Sequence, residues 1–148
     1  MSETSSKTAL EMIQERREAL KEKHRKAEAA QAEIDLSALA DAEEEHGYGS
    51  VESLPVKDFV AGCPTMAIVK SPGGTPFYKK YTDQVRNARG DAMKVGKAQE
   101  VLGESCMVYP PPGEVRDRML AAFPGLYVSC AVRAVKFAEL DAETEKKG

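Results

Sequence analysis
The chain has no tryptophan, only two histidines and three cysteines in 148 residues, and aromatics make up just 6%. Each scarcity excludes something. His24 and His46 both sit in densely charged stretches, and Cys63, Cys106 and Cys130 lie far apart with no Cys-x-x-Cys pair. They offer no ligand set at metal spacing, so no metal or other cofactor is expected. A Cys–His nucleophile needs a buried, oriented imidazole, and neither histidine reads as buried. No apolar run approaches the roughly 20 residues that span a bilayer, and no basic-then-apolar leader opens the chain. The expectation is a soluble, reduced, cytoplasmic protein without membrane contact.

Basic residues are also missing where one would look for them. No Lys or Arg occurs from Ala27 to Val56, a gap that holds eight acids including Glu43, Glu44 and Glu45. The segment before it, Glu15 to Lys26, is mixed but net basic, and the middle of the chain turns basic again. The net charge is only −3. Blocks of alternating sign suit docking onto proteins better than tracking a phosphate backbone. About a quarter of the chain is too polar for a core. The remaining domain of roughly 90 residues is small enough to gain from a partner that shares its apolar surface, so a homo-oligomer is an open expectation.

What is present reads as a helix-dominated α+β fold: a small antiparallel sheet of two or three strands with four to five helices, led by an extended N-terminal helix. Three units are expected: an exposed charged arm over 1–33, a small α+β domain over 34–142, and a disordered tail over 143–148. Residues 1–6 also read as disordered. Ser6 can cap a helix from Lys7 to Ala32, which neither Gly nor Pro interrupts. Its apolar stripe is thin. Ile13, Leu20, Ala27 and Ile34 recur every seven residues, but Arg16, Arg17 and Lys23 occupy companion positions, so the arm reads as a single exposed helix and not a coiled coil. Leu36, Leu39 and Ala40 or Ala42 stripe a second helical unit that ends in the turn Gly47-Tyr48-Gly49-Ser50.

Strands are expected over 51–60, broken by Pro55, and over 65–70. After the turn at Ser71 to Gly74, Thr75 reads as a cap and Pro76 as the first residue of a helix carrying Phe77, Tyr78, Tyr81, Val85 and Ala88; Pro76 to Tyr81 as a hairpin strand is the alternative. Arg89-Gly90-Asp91 closes that helix and caps the next, striped by Ala92, Val95, Gln99, Leu102 and Cys106, with Met93 and Val101 beside it. It ends at Val108-Tyr109, before Pro110. A short helix follows with Val115, Met119, Leu120 and Phe123 buried. Pro124-Gly125 stops it, and a last helix from Leu126 to about Ala142 buries Leu126, Val128 or Cys130, Ala131, Ala134, Val135, Ala138 and Leu140.

No motif assembles catalysis. Gly90 to Ala98 imitates a phosphate loop but has five residues between its glycines and Ala98 after the lysine. Glu43-Glu44-Glu45 lacks the alternating ligands and the glycine of a calcium loop. Tyr109-Pro110-Pro111-Pro112 can be a polyproline ligand, though it is also the expected stop and start between two helices. Cys63, in a turn beside Pro64, reads as the exposed thiol, whereas Cys106 and Cys130 fall on apolar faces. Lys79, Lys80, Arg86, Arg89, Lys94 and Lys97, interleaved with Tyr78 and Tyr81, form the one basic patch. Asp83, Asp91 and Glu100 interrupt it, and it frames the alternative function: a small cytosolic adaptor or nucleic-acid accessory protein.

The order of the pieces is informative. Asp35-Leu36-Ser37-Ala38-Leu39, a short strand region, a Pro/Gly turn, Phe77-Tyr78-Tyr81, Cys106-Met107-Val108-Tyr109-Pro110, Phe123-Pro124-Gly125-Leu126 and a final alanine-rich helix follow one another. Over residues 35 to 140 this is similar to the small tail assembly chaperones of tailed bacteriophages. The resemblance implies a non-enzymatic protein of the host cytoplasm that coats a long helical tape-measure protein and helps recruit tail-tube subunits, often with a frameshifted longer form. No family functional residues carry over. A helical client calls for a modest apolar groove with a charged rim. On this chain the expected contact surface is Met119, Phe123, Leu126, Val128 and Val135.

Overall fold
The computed structural model describes residues 8–72 and 76–147. The reading of residues 1–6 as disordered, the Ser6 cap, the Gly73-Gly74 part of the turn and the Thr75 cap lie outside them. Eight elements follow in order: α1 (Ala9–His46), β1 (Val51–Pro55), β2 (Met66–Lys70), α2 (Pro76–Ala88), α3 (Ala92–Cys106), β3 (Met107–Tyr109), α4 (Glu114–Ala122) and α5 (Leu126–Lys147). The fold is helix-dominated α+β with a three-stranded antiparallel sheet in the order β1-β2-β3.

The arm and the second helical unit are one helix of 38 residues, capped by Thr8, whose side chain accepts from the Glu11 N–H at 3.2 Å. No glycine or proline stands between Ala9 and His46, so nothing in the backbone breaks it at Ala32. Gly47, at φ +101°, ends it, donating its N–H to the Glu43 carbonyl at 2.8 Å.

The central strand β2 is apolar on both sides because it is covered on both sides. Ala67 and Val69 face a core made with Leu102 and Cys106 of α3, Met119 of α4 and Leu126, Cys130, Ala131 and Ala134 of α5. Ile68 points the other way, into a smaller core closed by Ala38, Leu39 and Ala42 of α1. The molecule is thus α1 on the sheet and the sheet on α3 and α5. On the α5 side Glu52 and Leu54 pair with Val69 and Ala67, and Glu52 accepts a charge-assisted hydrogen bond from Arg133.

Four expectations need correction. Pro76 opens a helix, as the first reading has it, so the alternative hairpin strand over 76–81 is not formed; the third strand is β3, Met107–Tyr109, which read as the end of α3. β3 pairs Met107 with Val69 and Tyr109 with Ile68, so Val108 is an extra residue that bulges and lets both Val108 and Tyr109 face α1. The stripe of α1 that packs is Asp35, Ala38, Leu39 and Ala42, not Leu36, which is 56% exposed. In α4 the buried partner of Met119 is Arg116, while Val115 is exposed. The helix α5 continues to Lys147 because four of residues 143–147 are Glu or Lys, good helix formers, with no Gly or Pro before Gly148. The Leu140 side chain lies outside the described residues.

Candidate partner-binding grooves
Two buried polar devices fix the shape of the surface. Asp35, fully buried on α1, accepts from the Thr65 N–H at 2.6 Å, the Thr65 hydroxyl at 2.5 Å, the Tyr109 hydroxyl at 2.5 Å and Gln31 at 2.9 Å. It ties the arm to the start of β2 and the end of β3. Burial, and then the Asp35 carboxylate itself, push the Tyr109 phenol well above its ordinary range. Arg116 donates to the carbonyls of Pro110 at 2.8 Å and Met107 at 2.9 Å. It pins the chain on both sides of the cis Tyr109–Pro110 peptide. Sequence reading missed both residues. The signal was spacing: Asp35 stands three, four and seven residues before Ala38, Leu39 and Ala42, and Arg116 three and four before Met119 and Leu120.

The first groove, of about 410 Å³, lies between the end of β1 and the α4–α5 corner. Leu54, Val56, Phe123 and Leu126 make its apolar wall, and Lys57 and Ser129 stand at its rim. The corner exists because Phe123 and Pro124-Gly125 stop α4 and the chain restarts at 94° in α5. Of the expected contact residues, Phe123 is half-buried and lines this groove. Leu126 is 5% exposed and Met119 fully buried, so Met119 belongs to the core and offers a partner no surface, and Leu126 only the groove's floor. Val128 and Val135 are half-buried on α5, and neither lines the groove.

A second groove, of about 540 Å³, runs between α1 and the proline loop, lined by Gln31, Ile34, Pro64, Tyr109, Pro111 and Val115 among others. Cys63 lies beneath it and is 1% exposed, which corrects its reading as the exposed thiol; Pro64 and the core side chains cover it. Cys106 and Cys130 are buried as expected. Burial raises both thiols, Cys130 to about 12, with nearby Arg116 opposing the rise and Cys106 adding to it.

The basic patch is exposed throughout on α2, α3 and the turn between them. Lys94 and Lys97 line a cleft of about 360 Å³ with Gln84, Asn87 and Val101. Arg86 is 3.9 Å from Asp83, and Tyr78 and Tyr81 stack on each other with centroids 6.5 Å apart. Among the described residues no three His, Cys, Asp or Glu side chains converge as a metal-binding group. No single described helix is long and apolar enough to cross a membrane. No protein-family model, curated protein or solved structure matches this chain.

Proposed function
We propose that the protein acts without catalysis, by binding another protein, and that it is a tail assembly chaperone whose client is a long helical tape-measure protein in the host cytoplasm. The observation that carries this is the groove at the α4–α5 corner: a preformed apolar trough with Phe123 in its wall, a floor of Leu126, and Lys57 at its rim. Such a trough accepts one apolar face of an amphipathic helix with modest affinity, which a chaperone that must release its client needs. Recruitment of tail-tube subunits is part of the same reading.

The test is co-expression with a tape-measure protein, scored by client solubility and co-purification. Ala122 and Ser129 are exposed at the groove, so Ala122→Glu with Ser129→Glu leaves the core intact while charging the trough. The expected result is loss of client solubility with an unchanged circular dichroism melt. A folded double variant that still solubilises the client removes this groove from the model. The cleft holding Lys94 and Lys97 favours the adaptor or nucleic-acid reading, in which retained material is nuclease-sensitive and lost steeply with salt.

A further inference from the structure
We infer that α1 pairs antiparallel with α1 of a second copy of this chain. The inference concerns the arm, not the α4–α5 groove, and stands whether or not the protein is a tail chaperone. Three features carry it. From Ala9 to Ala30 every residue of α1 is exposed, and the heptad stripe leaves Ile13, Leu20 and Ile34 at 54%, 65% and 59% exposure. Those apolar side chains lie on one line of a rigid helix, and among the described residues none covers them.

The second feature selects the occupant. Between residues 16 and 26 six bases stand against two acids, and between residues 28 and 45 seven acids stand against no base. The helix is a rod of two opposite charges. A parallel pair sets like halves together; an antiparallel pair sets each basic half along the other copy's acidic half, and it also opposes the two helix dipoles. The charged residues that spoil a conventional coiled-coil seam become the complementary contacts.

The third feature fixes the register. Gln31, Asp35 and Ala38 turn one flank of α1 toward its own domain, so a partner has only the stripe and the opposite flank. With the twofold axis near Ala27, Leu20 of each copy meets Ile34 of the other. In the same register Ile13 meets Asp41, the next stripe position, with Arg16 beside it, and on the free flank the helical repeat brings Lys23 beside Glu33 of the other copy. All four charged residues are exposed. Ile34 also lines the proline-loop groove, so the pairing continues onto the domain surface.

The test is mass by light scattering at low salt, across a concentration series up to about ten times the midpoint of any transition. The expected mass is twice 16.1 kDa. Lys23→Glu and Glu33→Lys, each alone, are expected to raise the dissociation constant at least about tenfold, and together to restore it. Mixing Leu20→Cys with Ile34→Cys chains is expected to give the mixed disulfide and not the 20–20 link. A single-chain mass at the highest concentration, failure of the double swap to rescue, or a dominant 20–20 disulfide overturns the inference. Helix content by circular dichroism shows that each variant is folded.

Discussion
Gly103 lacks a side chain because the space where one would stand holds the backbone of Tyr127. A methyl there would lie 1.8 Å from the Tyr127 carbonyl oxygen, so α3 and α5 approach as closely as they do only through glycine. Gly103→Ala should therefore cost about 3 kcal/mol, and the thermal midpoint should fall by more than about 10 °C. Gly96, on the same helix, faces open space. Gly96→Ala should instead stabilise the protein by about 0.5–1 kcal/mol, as an ordinary helix-propensity gain. A pair of melting curves decides both. At this scale the sequence is legible at most buried apolar residues, Cys63 excepted, and fails where a charged one is buried. Asp35 and Arg116 occupy core-facing positions, and reading by hydropathy moved the buried face to Leu36 and Val115 beside them. Their positions are made tenable by partners far away in sequence: Asp35 by Tyr109, 74 residues on, and by Thr65, 30 residues on.

At the scale of elements, the long helices, their proline stops and the β1–β2 hairpin follow from propensity and turn chemistry, and they appear close to where the pattern puts them. β3 does not, because three residues between a helix and a proline become a strand only by pairing with β2. α1 is one element with two surroundings. Up to Ala30 it is exposed, apart from His24 resting 5.2 Å from the Phe59 ring; from Gln31 onward one face is packed. Removing residues 1–28 should leave the domain's thermal midpoint within about 3 °C, measured at high salt and low concentration so that pairing does not contribute. Removing residues 1–43 uncovers Ile68, Val51 and Val108 and takes away Asp35. That shorter chain should show no cooperative melt by circular dichroism at 222 nm.

For the whole molecule, one consequence of its layered build is sensitivity to alkali. Cys106, Cys130 and Tyr109 each hold their protons more tightly when folded, because burial disfavours the charged form. The unfolded chain releases its thiol protons near about pH 8.5 and its phenol proton near about pH 10. The stabilisation is thus complete below about pH 8.5 and declines as pH rises toward the Cys130 value of about 12. Urea midpoints recorded between those limits should fall steadily, and Cys130→Ala should flatten the fall. Fold class is legible at this scale because composition and element order carry it. The grooves are less so, since Leu54 meets Phe123 only after the chain has folded. The exposed part of α1 also changes how the protein moves through water. From Ala9 to His24 the helix extends for about 23 Å. A rod that projects from a small body drags far more solvent than its mass requires. A single chain will sediment slowly, tumble anisotropically and leave a sizing column early, in the position of a sphere well above 16.1 kDa.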